Sequence, residues 1–335
     1  MESSDQRARR TERERAGSTE LEDRAAVLRE QVRTGAGSQE GLELGAKLGD
    51  EAAALALGEQ DSEPPPNLKD EDLASLAGLS LTRLSLYRGE ALTDAGFAHL
   101  GQLESLEHLH LHETPQLSEA SLVHLTKLPR LRTFSASEGE IGDAGFATLA
   151  SIATLEDLTL INFKAVGDAG VQALGELPAL RSLCLSGCDQ IGDAGVQALD
   201  PSWPLEQLRL SGCRLLGDAA LEHLSQFTRL KTLVFGLSQN AANSQIKSLR
   251  FASLIMEDLT CLDGVSDAGV KRLAALRDLR ELDLCGCRNM TDAGLDALAP
   301  LARLEKLGLG YCKKVTPVGR ERLRTAIGSQ LEFVG

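Results

Sequence analysis

Apolar residues recur along most of the chain in a pattern that repeats about every 25 residues. Each unit contains L-x-x-L-x-L, and its middle residue falls at Leu84, Leu109, Phe134, Leu158, Leu183, Leu208, Leu233, Leu259, Leu282 and Leu307. The steps between these positions are 25, 25, 24, 25, 25, 25, 26, 23 and 25 residues. Alternating apolar residues predict a strand, and ten strands at a nearly constant period predict a solenoid.

A second pattern follows each predicted strand. In residues 191–199 the apolar spacing changes from two to three or four, which predicts a short helix. Thr93 and Thr291, or a glycine in other units, stand where a helix N-cap belongs. The predicted fold class is therefore α/β, a curved solenoid with parallel strands on the concave face and short helices on the convex face. Half-units at residues 68–79 and 331–333 are predicted to cap it.

The first 66 residues differ from the repeats. They carry 9 basic and 15 acidic side chains, contain no aromatic residue and end at Pro64, Pro65 and Pro66. Such a composition buries little apolar surface. Weak apolar stripes, including one from Leu44 to Leu57, favour helix in parts. We predict a charged, partly helical or disordered extension with a proline linker over residues 1–66, and the solenoid over residues 67–335.

Charge and composition narrow the class of partner. The chain has 35 Lys and Arg against 49 Asp and Glu, a formal charge of −14. This charge disfavours nucleic acid and anionic membranes. No apolar run approaches the roughly 20 residues of a membrane helix, and no secretory signal is visible. We expect a cytoplasmic protein whose partner is another protein, with an unknown oligomeric state.

Two segments carry a more specific motif. Leu183-Cys184-Leu185-Ser186-Gly187-Cys188 and Leu282-Asp283-Leu284-Cys285-Gly286-Cys287 fit L-x-x-L-x-L-x-x-C, and a T-D-A-G-L-like turn follows. The chain thus resembles the cysteine-containing subtype of the leucine-rich repeat family, which includes ribonuclease-inhibitor-like solenoids. The resemblance implies a non-enzymatic protein–protein interaction scaffold that binds a partner on the concave face.

The same resemblance implies an alternative function. The subtype is familiar from substrate-recognition subunits of cullin-type ubiquitin ligases, and similar arrays occur in secreted bacterial effectors. The first 66 residues show no aromatic-containing, proline-initiated helical trio of the F-box kind. No residues with the spacing of a catalytic acid, base or nucleophile set appear, so we predict neither an enzyme nor a cofactor.

The cysteines are predicted to be structural. Cys188, Cys213, Cys287 and Cys312 each lie five residues beyond a middle leucine, where the family points a small side chain into the turn. Cys261 is expected at an inward strand position. Cys184 and Cys285 are expected to point to the concave surface. No C-x-x-C pair indicates a metal site.

An acid begins most of the predicted helices. These residues are Asp94, Glu119, Asp143, Asp168, Asp193, Asp218, Asp267 and Asp292. We interpret them as favourable partners of the helix N-termini. A calcium ladder and a basic partner are the alternatives.

The strongest contact candidates lie on predicted strands. His108, His110 and His112 alternate along one strand, so they share a face at about 7 Å intervals. They form either a pH-sensitive contact patch, a metal site or plain solvent-facing polarity. Tyr and Arg are common interface anchors. The predicted protein-binding residues are Arg83, Tyr87, His108, His110, His112 and Arg209.

One segment departs from the repeat. Residues 236–245 lack the D-A-G turn, and the next unit is shortened between Leu259 and Asp267. Repeat drift without consequence is one interpretation. A binding loop is the other, because irregular connections often carry function.

Overall fold

The computed structural model describes the backbone of residues 53–57 and residues 68–77, 79–87, 89–236 and 262–334 in full. The chain divides into two compact units, residues 1–136 (unit 1) and residues 137–335 (unit 2). Each is described by itself.

Unit 1 alternates parallel strands with short helices. Its strands are β1 (Ala53–Leu57), β2 (Leu81–Tyr87), β3 (His108–His112) and β4 (Thr133–Ser137, whose last residue falls in unit 2). Its helices are α1 (Asp70–Ala74), α2 (Asp94–Leu100) and α3 (Glu119–Leu125). The middle residues of successive units are in register, since Leu84 pairs with Leu109 and Leu109 with Phe134.

Unit 2 continues the same alternation. Its helices are α4 (Asp143–Ala150), α5 (Asp168–Ala173), α6 (Asp193–Gln197), α7 (Asp218–Leu224), α8 (Asp267–Arg272), α9 (Asp292–Ala297) and α10 (Pro317–Ile327). Its strands are β5 (Asp157–Ile161), β6 (Ser182–Ser186), β7 (Gln207–Arg209), β8 (Thr232–Val234), β9 (Glu281–Asp283), β10 (Lys306–Gly308) and β11 (Glu332–Val334). Short 3₁₀ turns, Leu174–Glu176 and Leu273–Ala275, extend α5 and α8.

The apolar positions of the repeat form the core. In the unit around β6, Leu180, Leu183 and Leu185 are completely buried, and so is Cys188. A fully buried aliphatic side chain contributes about 1.5–3 kcal/mol. One unit cannot bury these residues alone, so neighbouring units stabilise one another. The predicted α/β solenoid of parallel strands and short helices is confirmed, and α1 and β11 lie in the predicted half-units.

A left-handed residue ends the described strands. Four positions beyond the middle residue, φ lies between 53° and 86° at Glu113, Glu138, Asn162, Gly187, Gly212, Gly286 and Tyr311. Its N–H extends the sheet ladder, as Asn162 N–H donates to Ser186 O at 2.8 Å and Gly187 N–H to Ser211 O at 2.7 Å. The positive φ turns the chain out of the strand toward the helix.

The turn acids connect successive repeats. Asp168 is the first residue of α5, yet its Oδ1 accepts from Gly192 N–H, the N-cap of α6, at 2.7 Å. Asp193 does the same for Gly217 N–H of the next turn at 2.7 Å. In the hydroxyl-bearing turns, Asp292 accepts from both N–H and Oγ1–H of Thr316. We interpreted these acids as partners of helix N-termini, and the described contacts go to the helix of the following repeat.

The glycine of the D-A-G motif makes room for this contact. A Cβ on Gly195 would lie 2.6 Å from Asp168 Oδ1 and 3.1 Å from Asp168 Cα. Gly170, Gly269 and Gly294 have the same relation to the acid of the preceding described turn. The acid of one turn and the glycine of the next therefore form one contact that connects two repeats. In α10, Pro317 takes the place of the acid.

One predicted helical stripe is partly wrong. Ala53–Leu57, at the end of the stripe from Leu44 to Leu57, forms strand β1 and pairs in parallel with β2. Pairing with β2 at the edge of the sheet outweighs the weak helical periodicity of this stripe. The rest of residues 1–66 lies outside the described residues.

The predicted unit around Leu259 also needs correction. Residues 237–261, which include Leu259 and Cys261, lie outside the described residues. β8 pairs directly with β9, with Leu233 opposite Leu282, so no strand lies between them in unit 2. Gly217 bridges to Gly264, and Asp218 accepts from Ser266 N–H across 48 residues of sequence. Nine of the ten predicted centres lie in strands.

Candidate protein-binding face

The parallel register of β2 and β3 brings five predicted contact residues together. Leu109 and Leu111 are buried, while the three histidines between and beside them are only partly buried. Arg83 pairs with His108, and Tyr87 pairs with His112. We call this side of the sheet in unit 1 the histidine face, formed by Arg83, Tyr87, His108, His110 and His112.

Two side-chain contacts order this face. The Tyr87 and His112 rings stack with centroids 4.7 Å apart and an interplanar angle of 9°. His108 Nδ1 and Thr133 Oγ1 are hydrogen-bonded at 2.9 Å. Both ends of the histidine row are therefore held by neighbouring strands.

The histidine face disfavours positive charge on its own imidazoles. Burial, and to a smaller extent the neighbouring His112, His108 and Arg83, together lower the pKa of His110 to about 4. Burial also lowers the pKa of His112. At neutral pH the imidazole of His110 is uncharged, and that of His112 is mostly uncharged.

Arg83 has an unusual environment for a guanidinium. It is half-buried, and burial lowers its pKa. Within the described residues, no hydrogen bond or ion pair joins Arg83 to another side chain. The matching positions of β3 and β4 hold His108 and Thr133, neither of them acidic. An arginine has five N–H donors, so this one is poised for an acceptor from outside.

Arg209 has different surroundings. It lies in β7 of unit 2, between Cys184 and Val234 of the adjacent strands. Burial raises the pKa of Asp157, while hydrogen bonds from Ser182 and Thr159 and the charge of Arg209 lower it. Arg209 thus already shares its face with a carboxylate, unlike Arg83.

Sequence reasoning missed one buried acid. Asp283 of β9 is only 4% exposed, and its Oδ1 accepts from Cys285 N–H at 2.8 Å. Its Oδ2 is buried without a hydrogen-bond partner. Gly308 lies beside it in β10, where a Cβ would approach Asp283 Oδ1 to 2.5 Å. A glycine in a strand position opposite an acid was the available signal.

The described cysteines are buried and protonated. Cys213 Sγ donates to Leu185 O at 3.2 Å, and Cys312 Sγ donates to Leu284 O at 3.1 Å. Burial raises the pKa of Cys188 to about 12 and that of Cys312 to about 11. The thiolate is the reactive form, so these thiols are poor nucleophiles.

Cys184 and Cys285 are less exposed than a position on the concave surface suggests. They were expected to point to the concave surface, but they are 7% and 2% exposed. Cys285 Sγ accepts from Gly310 N–H at 3.0 Å, and burial raises the pKa of its thiol. Cys184 Sγ lies 3.2 Å from Ser186 Oγ, and a sequence register does not reveal how deeply either sulfur is buried.

The described residues contain neither a candidate metal site nor a helix suited to a membrane. In them, no group of three or more His, Cys, Asp or Glu is arranged to hold a metal ion. The same residues include no helix of the length and apolar character needed to cross a membrane.

Comparison with known proteins assigns the class of fold. A family model described as "Leucine Rich repeat" matches residues 177–199 and 275–299. A comparison with curated proteins gives no sequence match. The repeated strand–turn–helix unit defines a solenoid protein. The two matched segments are similar to leucine-rich repeats, and the strand–turn–helix unit of the described residues has the same fold. The buried cysteines are consistent with the cysteine-containing subtype.

Solved structures of similar fold have low sequence identity. An internalin, InlF, from Listeria monocytogenes strain 4b F2365 has 16% identity and a TM-score of 0.50 over 88% of each chain. Rad7, from a yeast Rad7–Elc1 complex, has 17% identity and a TM-score of 0.44 over 99% of this chain and 92% of its own. Internalin C2 from the same Listeria strain has 19% identity and a TM-score of 0.46 over 72% and 84%. The likeness to InlF supports the fold.

Proposed function

We propose that this protein is a non-enzymatic scaffold that binds a partner protein on the concave side of its repeats, with the histidine face as one contact surface. The fold is typically a binding scaffold, and the described thiols are buried and protonated. The observation that carries the proposal is the half-buried Arg83, which has no described partner and lies beside a stacked Tyr87–His112 pair.

The physical basis is a surface on which Arg83 has no side-chain partner among the described residues. The strand register fixes the backbone at these positions and the Tyr87–His112 stack orders two of the side chains, so part of the ordering cost of binding is already met. Tyr and Arg contribute large shares of interface energy in other complexes. Arg209 remains a second proposed contact, in unit 2.

Partner capture tests the proposal. The full chain and an Arg83→Ala, Tyr87→Ala, His110→Ala variant are used as baits, and the recovered proteins are quantified. The matched control is Lys127→Ala, Arg130→Ala, two exposed cations of unit 1 that lie after α3. We expect the face variant to lose partners that the control keeps. Equal recovery by all three baits would refute the histidine face as the binding surface.

The ubiquitin-ligase alternative is a separate proposal that rests on the family resemblance. It predicts that cullin-complex components co-purify with the full chain. Their absence from a bait that still recovers other partners argues for the plain scaffold. A secreted-effector role is instead indicated if the recovered partners come from a host cell rather than from the producing cell.

A further inference from the structure

Among the described residues, no acid occupies a registered position of β2, β3 or β4 on the histidine face, although the whole chain carries a charge of −14. From the described elements packed against β3, the titratable or charged groups on this side are Arg83 and Tyr87 of β2. β4 contributes Thr133 and Ser135 at the registered positions. At these described strand positions of the histidine face, a binding partner therefore meets cationic, protonatable and hydroxyl groups.

Unit 2 presents a contrasting set on the corresponding side of its strands. Asp157 of β5 and Asp283 of β9 occupy it, and Arg209 is within electrostatic reach of Asp157. A basic partner segment finds the partly buried carboxylate of Asp157 in unit 2 but only like charge at Arg83. The charge distribution thus directs an acidic segment to the histidine face.

We propose that the histidine face binds an acidic segment of a partner protein, with carboxylates paired to Arg83, and that binding takes up protons at the histidines. This inference rests on the proposed scaffold function and names the chemistry of the partner.

The proton uptake follows from electrostatics. In the free protein His110 is neutral because burial and nearby cations lower its pKa to about 4. A carboxylate seated beside Arg83 and the imidazoles favours the charged form and raises the pKa of the histidines. Between the free and bound pKa values, the complex holds more protons than its components. Affinity therefore rises as pH falls through that window.

The test uses the full chain and a fluorescent deca-glutamate peptide, with deca-glutamine and deca-lysine as matched probes. Dissociation constants are measured at pH 5, 6, 7 and 8 at fixed ionic strength. We expect deca-glutamate to bind tightest, and its affinity to rise up to about tenfold per pH unit for one proton taken up. Calorimetry in buffers of different ionisation enthalpy counts the protons.

Variants separate charge pairing from proton uptake. Arg83→Gln is expected to weaken deca-glutamate binding at every pH. A His108→Gln, His110→Gln variant is expected to bind with a reduced pH dependence. His99→Gln, in the last turn of α2, is the control and should behave like the parent chain. Circular dichroism verifies that each variant folds.

Three results would overturn the inference. They are binding of deca-glutamate no tighter than that of deca-glutamine, a pH dependence unchanged in the double histidine variant, and tighter binding of a ten-nucleotide RNA than of deca-glutamate. If these occur while the face variant still loses its captured partners, the scaffold function stands and only the acidic partner is wrong. If deca-glutamate binds as expected but capture is unaffected, the scaffold surface is wrong instead.

Discussion

At the scale of single residues, the glycine of the D-A-G turn illustrates what a repeat register imposes. Gly195 is the third residue of α6 and has a helical backbone conformation, which most residues can adopt. Its Cβ position, however, is taken by Asp168 of the preceding repeat. In α7, Ala220 stands at the same place, and its N–H lies 3.2 Å from Asp193 Oδ1, against 2.9 Å for Gly170 N–H and Asp143 Oδ1. Gly294 N–H lies 3.1 Å from Asp267 Oδ1, so Ala220 shows that this turn can accommodate a methyl group with a hydrogen bond of similar length.

Gly195→Ala is therefore expected to lower the free energy of unfolding by about 1–2 kcal/mol. Gly175→Ala, in the 3₁₀ turn after α5, is the matched control, because its Cβ would meet no atom closer than 3.8 Å, and its effect should stay within about 0.5 kcal/mol. Urea denaturation of both variants measures the difference. Equal effects would show that the contact with Asp168 does not set the requirement for glycine.

A second residue-scale prediction concerns the left-handed position. Tyr311 has φ 60° and is 43% exposed, so it bears backbone strain without a buried contact to compensate. Replacing it by glycine removes the left-handed penalty, and we expect Tyr311→Gly to raise the free energy of unfolding by about 1 kcal/mol. Tyr311→Ala keeps the Cβ and should give no such gain. Thermal and urea unfolding check the pair.

At the scale of elements, the turn acids tie each helix to the one after it. The strands, helices and caps follow from local patterns, so the sequence predicts them well; Thr93 and Thr291 accept from N–H groups of the first helical turn as expected. The target of the acids is a different matter. Local spacing places Asp168 at the start of its own helix, and only the stacking distance decides that it reaches Gly192.

The same contacts predict an acid sensitivity. Hydrogen bonds from Ser121 and Ser118 lower the pKa of Asp94 from its ordinary 3.8. A carboxyl whose folded pKa lies below its unfolded pKa stabilises the fold above the unfolded value, and this stability is lost as pH falls through the folded value. The urea midpoint of the parent chain should therefore drop more steeply below about pH 4 than that of Asp94→Asn.

The control for this prediction is Glu104→Gln, an exposed acid in the same unit. It should preserve the parent pH profile. A profile that is equally steep in Asp94→Asn would mean that other carboxyl groups govern the acid response.

At the scale of the whole molecule, the unit between Leu233 and Leu282 is where sequence and structure disagree. Leu259 has the same pattern of apolar residues around it as the other nine centres, so the sequence predicts a strand there. Pairing between β8 and β9 is a long-range property, and no local spacing reports it. The unpartnered Arg83 is a similar case, since the absence of a neighbour is a property of the assembled sheet.

The described residues predict the outcome of an excision. Leu233 and Leu282 are 49 residues apart, so removing the 25 residues 237–261 and inserting one glycine leaves 49 − 25 + 1 = 25, the common period. The glycine takes the place that Gly212, with φ 80°, holds in the preceding unit. We expect the shortened chain to fold and to unfold in one cooperative transition, measured by circular dichroism and calorimetry.

Failure of this excision would have a clear meaning. If the shortened chain does not fold, residues 237–261 supply a structural unit of their own, as the pattern around Leu259 predicts. A second variant, in which the same residues are replaced by a Gly/Ser linker of equal length, then separates lost contacts from a misfitted junction.

Pro317 stands at the position that an acid occupies in the other helices of unit 2. In unit 2, from Asp143 to Asp292, the acid of each described turn accepts a hydrogen bond from a backbone N–H of the following described turn. Thr316 donates the last of these bonds. Pro317, the first residue of α10, has no side-chain acceptor for such a hydrogen bond. A repeat packed against α10 would therefore lack the carboxylate contact that Asp292 gives to Thr316.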